Sequence, residues 1–319
     1  MTIDLTAIDA ALGDYFRKNQ NTLIRNLFYK PESFNYMTPI AGVKHQFVGV
    51  GTDIGEVTQA FQSEFTPKGD VSMIPLINTV YPWKIDLEFK DFEQFEQKYI
   101  GWVVEEQQLA QGQPVNTTLG KYLWDQIIKK AMEERELNAG SASRVDPTPS
   151  VAGAANEAWT GFLTVIADLI TAGAGINVVA TGALTNPGSF DKVEGFIRGI
   201  PVKYKNATDK ILCSYTVQEN VDIDFRNNFP YQVGGGESPS KSRFINTNAQ
   251  LQPLVSMGTS QRLLFTPKEN FLYMFDFVNE PDSAPYQIVP DIGKIKIRIQ
   301  GKLGFGFDDP RVVFVNDRT

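Results

Sequence analysis

His45 and Cys213 are the only histidine and the only cysteine in 319 residues. A zinc site built from several imidazole or thiolate ligands is therefore excluded. A Ser–His–Asp or Cys–His arrangement would have to use His45. That residue lies in VKHQF, near the start of an extended segment and without recognisable triad partners, and it reads as a solvated or hydrogen-bonded histidine. Gly234-Gly235-Gly236 invites a phosphate cradle, but the Lys-Ser/Thr ending of a P-loop and the spacing of a dinucleotide fingerprint are both absent. With Glu237 following, the tract reads as a plain loop. Glu133, Glu134 and Glu136 share one helix, and paired carboxylates can do acid–base work. Lys129, Lys130 and Arg135 stand among them, so they read as a solvated, salt-bridged face. Lys294, Lys296, Arg298 and Lys302 form a cationic stripe that would meet nucleic acid or, on an acidic chain, carboxylates of its own. No motif for a cofactor or a metal remains.

The balance of charge points the same way. Thirty Lys and Arg against 37 Asp and Glu give a net charge of −7. Tight nucleic-acid binders are usually basic, because neutralising phosphates drives their affinity. A single cysteine allows no intrachain disulfide and suits synthesis in a reducing cytoplasm. No apolar run follows Met1, so a signal peptide is not expected. The passage 162–179 is broken by Asp168, Asn177 and glycines, too polar for a membrane span.

The elements that carry these residues are unusual in length. Residues 294–307, KIKIRIQGKLGFGF, place Ile295, Ile297, Ile299, Leu303, Phe305 and Phe307 on alternate positions. Such alternation means a long half-buried strand, solvated on its cationic face. Residues 43–89 read as one long hairpin turning at Thr66-Pro67-Lys68-Gly69-Asp70, with Val71, Met73, Ile77, Tyr81, Trp83, Ile85, Leu87 and Phe89 alternating on the return. Limbs of ~20 residues at ~3.3 Å each would reach ~60 Å, too long for one compact domain. An isolated hairpin is marginal in water, so burial against another subunit is the simplest expectation. Folding back as several short strands is the alternative.

Helices punctuate the rest. Residues 2–30 read as an amphipathic helix, either an arm or a helix packed on its own domain, ended by Pro31. A second helix opens at Asp91 with Phe92, Phe95, Tyr99 and Trp102 as its stripe. A third runs from a Thr117 or Thr118 cap to about Leu137, with Leu119, Leu123, Ile127 and Ala131 inward, a spine ~30 Å long. Residues 138–156 carry small side chains and two prolines and read as a flexible junction. Beyond it lie a short apolar helix at 161–170, a helix capped by Ser189 with Phe190, Val193, Phe196 and Ile197 buried, a strand at 210–213 and a helix at 217–229. That alternation implies a mixed α/β layer over 157–260, and 234–242 reads as a mobile loop.

Taken in order, these elements resemble a tailed-bacteriophage major capsid protein of the Hong Kong 97-type fold. MEERELNAGSA, AWTGFLTVIADLI, RLLFTPKENFLYMFDF and the KIKIRIQGKLGFGFDDPRVVFVN terminus are similar to capsid proteins of phages and prophages of Bacteroidetes hosts. The resemblance implies an α+β chain divided into an N-terminal arm at 1–42, an extended loop at 43–90, a peripheral domain at 91–145 with return strands at 265–319, and an axial domain at 146–264. It implies hexamers and pentamers closing an icosahedral or prolate shell around packaged double-stranded DNA. The DNA would be enclosed without sequence-specific binding or a membrane, in a virion capsid assembled in the bacterial host cytoplasm. Portal and decoration proteins are the expected neighbours. Only about 40 residues precede the hairpin, so a separate scaffolding protein is expected rather than a fused one. Pro67, Lys68 and Gly69 are the expected inter-subunit contact at the loop tip. Phe92, Phe95 and Trp102 should anchor the loop's base. Some members cross-link Lys to Asn between subunits. Lys68 and Asn316 are where such chemistry would fall, but cross-linking is not the expectation, and a uniform monomer band from boiled particles would dispose of it.

Two rivals stand beside this reading. An encapsulin-type compartment shares the fold and would enclose a cargo enzyme instead of DNA. An α/β enzyme using carboxylates or hydroxyls would need a convergent pocket and would show turnover as a stable monomer.

Overall fold

The computed structural model describes residues 32–89, 119–228, 249–276, 286–291 and 294–318. The expected helices at 2–30 and 91–109, with Phe92, Phe95 and Trp102, and the glycine loop at 234–242 lie outside the described residues. In chain order the elements are β1 (Thr38–Ala41), β2 (Gln46–Ile54), β3 (Val71–Thr79), β4 (Tyr81–Phe89), α1 (Leu119–Asn138), α2 (Phe162–Thr171), β5 (Asn177–Val179), α3 (Ser189–Gly199), β6 (Lys210–Cys213), α4 (Tyr215–Asn228), β7 (Gln250–Pro253), β8 (Leu264–Phe265), β9 (Phe271–Asp276), β10 (Tyr286–Asp291), β11 (Lys294–Phe307) and β12 (Phe314–Asn316). The chain forms two compact units. One takes 1–31, 82–135 and 276–302, and the other takes 32–81, 136–275 and 303–319.

In the first unit β10 and β4 both pair with the front half of β11, β10 in antiparallel register from Tyr286 opposite Ile299 to Asp291 opposite Lys294. Ile297 and Ile299 are buried and Lys296 and Arg298 exposed, the alternation that the sequence dictates. The Arg298 guanidinium grips the Asp86 carboxylate at 2.6 and 3.0 Å, and that hydrogen bonding holds the Asp86 pKa below its ordinary value. The cationic stripe thus meets a carboxylate of its own chain, in a half-exposed pair worth under about 1 kcal/mol. Arg135 departs from the expected solvated face. It is only 2% exposed and lies 4.2 Å over the Trp83 ring. Burial lowers its pKa to about 9. At neutral pH it is still a cation, and the indole face takes the charge. Lys130 and Glu133 do form the expected exposed ion pair, at 3.3 Å.

The second unit has a five-stranded sheet that runs β5-β12-β8-β6-β7. Its core gathers Phe190, Val193, Phe196 and Ile197 of α3, Val217 and Val221 of α4, Ile211, Cys213, Leu251 and Phe314. The spacing i, i+3, i+4 on α3 gives the helix a single apolar stripe to bury here. The last segment, Phe314–Asn316, is inserted between β5 and β8, which fixes the end of the chain in this layer. In the same unit β1 pairs with β9 in parallel, and β9 neighbours β11. Phe34 stacks on Tyr273, Phe271 on Phe307, and Phe162 meets Phe271 edge-on, so this layer is held by aromatic packing.

Three local readings are corrected here. Ser189 is the first residue of α3 and not its cap. Gly188, at φ 91°, occupies the cap, and the buried Asp224 of α4 accepts from the Gly188 and Phe190 N–H groups at 2.8 and 2.9 Å. The cap comes from a neighbouring helix, a relation no local pattern reveals. Asp224→Ala strands these donors, and the expected loss is about 2–3 kcal/mol in a thermal or urea melt. The stretch after α1 is irregular and exposed over 145–156, as expected, but its start at 139–142 is not loose. Ala139 and Ala142 are fully buried, and Gly161, Phe162 and Leu163 N–H groups donate to Ala142, Ala139 and Gly140 carbonyls at 2.8, 2.9 and 2.9 Å. A Cβ on Gly140 would run into the Ser256 carbonyl, and one on Gly161 into the Gly140 carbonyl. The small residues are there so that backbones can touch. Glu136, expected in solvent, accepts from both the N–H and the hydroxyl of buried Ser33.

Candidate assembly interface

The long hairpin departs most from its expected form. β2 pairs with β3 in an antiparallel ladder from Gln46 opposite Thr79 to Ile54 opposite Val71, nine residues to each strand, or ~30 Å. The return does not continue to Phe89 as one limb. It breaks at Val80, whose N–H donates to the His45 carbonyl and closes the ladder, and a new strand begins at Tyr81. His45 is therefore an exposed residue at the hairpin base, used through its backbone.

The base of the hairpin is fastened by residues near the chain end. The Asn78 side-chain amide donates to the Phe307 carbonyl at 2.9 Å and accepts from the Phe307 N–H at 3.2 Å, standing in for a strand partner. A side chain on Gly306 would overlap that amide. The Asp308 carboxylate accepts from the Val50 N–H at 3.2 Å, and a Cβ on Gly49 would sit 2.7 Å from the Asp308 carbonyl. The even positions at the end of β11 were expected in solvent. Gly304 and Gly306 are buried, because the hairpin base lies against them. Gly49 and Gly51 of β2 are the places where residues 307–309 come close.

Between base and tip one face is left open. Cross-strand partners share a face, so Val48 and Ile77, Val50 and Pro75, Thr52 and Met73, and Ile54 and Val71 lie together. All eight are exposed, Met73 at 68% and Ile77 at 62%. The alternation read as half-burial is present, but nothing among the described residues covers the apolar side. Beyond the ladder, Phe61 and Phe65 are 98% and 94% exposed.

Beyond the ladder the two limbs stay together. The Gly55 N–H donates to the Asp70 carbonyl, Gln59 Nε2 to the Thr66 carbonyl, and Lys68 Nζ to the Thr58 carbonyl at 2.6 Å, with Glu56 3.3 Å from the same amine. Gly69 takes φ 88°, which glycine adopts without strain, and lies against Glu56 and Val57. Pro67, Lys68 and Gly69 are therefore exposed on the return limb, and the chain reverses between Gln59 and Thr66, short of the expected turn at 66–70. Asn316 is fully buried, its amide bonded to Gln261, Leu263 and Thr181, far from the free side chain that cross-linking would use.

The described residues contain no group of three or more His, Cys, Asp or Glu side chains placed to hold a metal ion. Cys213 is buried in the helix-and-sheet core, and burial, with the Asp222 charge behind it, pushes its thiol up to about 12. No described helix is long and apolar enough to cross a membrane.

No family model and no curated protein matches the sequence. Solved structures do match. A chain of the satellite phage P4 procapsid, which includes the size determination (Sid) protein, is similar over 93% of this chain and 90% of its own, with a TM-score of 0.60 and 11% identity. A chain of the capsid of an empty GTA particle is similar over 90% and 89%, with a TM-score of 0.52 and 12% identity. At such identities the likeness is one of backbone. Hairpin, spine helix, α/β layer and closing strand, in that order and over nearly the whole length, give this chain the fold of phage capsid proteins.

Proposed function

We propose that this protein is the major capsid protein of a tailed bacteriophage, a shell subunit whose work is to bind copies of itself. The observation that carries the reading is the hairpin, a rigidly based projection whose apolar face is open to water on a chain with a phage capsid fold. A two-stranded ribbon gains no stability from an uncovered apolar face, so the face is there for a partner. In a closed shell the same face meets the same neighbouring surface on every subunit, and modest contacts are multiplied by repetition. Pro67, Lys68 and Gly69, on the return limb next to the tip, touch that neighbour. Hexamers and pentamers, a separate scaffolding protein, a portal and decoration proteins complete the assembly in the host cytoplasm. The net charge of −7 suits an inner wall that holds DNA without trapping it.

Negative-stain electron microscopy and sedimentation of the purified chain, with and without a co-expressed scaffold, test this directly. Closed shells or hexamer and pentamer rings are expected. A stable 35.6 kDa monomer in both conditions would overturn the reading. Particles enclosing a cargo protein instead of DNA would point to the encapsulin-type compartment.

A further inference from the structure

The hairpin has two ways to join another chain. It can lay its apolar face on a surface, or it can add a strand to either of its edges. The register decides between them. Val80 N–H to His45 O and Gly55 N–H to Asp70 O are ladder bonds at the two ends. In an antiparallel ladder, hydrogen-bonded and non-bonded pairs alternate. The bonded pairs are therefore 47 with 78, 49 with 76, 51 with 74 and 53 with 72. The pairs between them, including Val50 with Pro75 and Ile54 with Val71, turn their backbone groups outward to the two edges.

Both edges are closed by side chains. At the centre of the nine-residue β3 stands Pro75, which has no N–H to offer an incoming strand. At the start of β3 the outward Val71 N–H is taken by the Asp70 carboxylate at 2.9 Å. On the opposite edge the outward Val50 N–H is taken by the Asp308 carboxylate at 3.2 Å. An added strand needs a donor at every second residue, and each edge has lost its regular series. The face has the opposite character. Six aliphatic side chains about half exposed, with Phe61 and Phe65 almost wholly exposed, offer on the order of 700 Å² of apolar surface. That approaches the ~800 Å² that one partner contributes to a standard stable interface.

We propose that Pro75, Asp70 and Asp308 close the edges of the hairpin, so that copies of this chain cannot join by strand addition and are left the Val48, Val50, Met73 and Ile77 face. The choice of occupant rests on the shell reading above; the closing of the edges does not. A shell needs its subunits to meet at one fixed geometry, whereas open edges would propagate sheets without closing. Pro75 is then a specificity residue, tolerated in a strand because it refuses the wrong partner.

The test uses the full chain in three forms: wild type, Pro75→Val, and Met73→Asp with Ile77→Asp. Valine fits a strand, so Pro75→Val should melt like the wild type. It is expected to gain thioflavin-binding, sheet-rich oligomers that the wild type lacks. The face variant is expected to lose shells and rings while gaining no thioflavin signal. Shells from Pro75→Val in normal yield, with no sheet-rich oligomers, would overturn the edge proposal and leave the shell reading intact. Normal shells from the face variant would mean that another segment or partner covers the face, and would overturn the docking. A wild type that makes no shells sinks the shell reading, while the thioflavin comparison still decides the edges.

Discussion

Met73→Asp with Ile77→Asp leaves a folded subunit that no longer assembles. Both side chains sit on the open face of the hairpin, more than half exposed, and neither belongs to the core of either unit. Their replacement should therefore move the stability of the free subunit by no more than about 1 kcal/mol. At a contact the effect is different in kind. Burying an unpaired carboxylate costs on the order of 3–5 kcal/mol. At ~1.4 kcal/mol per decade, that raises the subunit concentration needed for one contact by about a hundredfold to several thousandfold. Sedimentation should show free subunits at concentrations where the wild type is fully assembled, with unchanged circular dichroism. Met73→Leu, which keeps volume and polarity, should assemble normally. Shells from the double variant at wild-type concentrations would remove the hairpin face from the interface.

The largest effect on the fold itself belongs to Gly140 and Gly161. Two backbone segments meet there without room for a Cβ, because the obstructing atoms are the carbonyls of Ser256 and Gly140. Backbone carbonyls in hydrogen-bonded segments cannot swing aside as a lysine tip would. Gly161→Ala must push apart segments joined by three hydrogen bonds, Gly140→Ala must displace the backbone at Ser256, and the expected loss in each case exceeds about 4 kcal/mol. Against a total of 5–15 kcal/mol, that leaves little folded protein at 37 °C. Gly195 supplies the contrast. It is an exposed residue inside α3 whose added Cβ meets nothing within 4 Å. Gly195→Ala should stabilise by about 0.5–1 kcal/mol through helix propensity alone. A urea series on the three variants checks both signs. A neutral Gly161→Ala would show that the segment has slack it is not expected to have.

Periodic elements were legible and close approaches were not. The spine helix, α3 with its four buried apolar residues, the strand at 210–213 and the 14-residue β11 all follow from where apolar side chains recur. A period reports which face must be covered, and says nothing about what covers it. On β11 the cover comes from within the chain. On β3 the same alternation ends at a face that no described residue of this chain covers. The glycines and alanines of 138–156 carry no periodic signal at all, and a run of small residues looks alike whether it is loose or pressed against another backbone. Only the partners, Ser256 and the turn before α2, separate the two cases. The Pro and Gly of 66–70 suggested the turn there, but the chain reverses between Gln59 and Thr66, and Lys68 lies on the return limb against Thr58. Asp308 at the edge of β2 was not, since 258 residues separate it from Val50.

Cys213 has a practical consequence. A lone thiol, buried in the core and held protonated until about pH 12, is silent toward maleimides and disulfide reagents while the subunit is folded. A cysteine placed by Lys68→Cys next to the hairpin tip would therefore be the single reactive handle on the native chain. A fluorophore there would report when the arm meets its neighbour, with no background from the rest of the molecule. Reagent uptake at Cys213 would in turn count the subunits that have come unfolded.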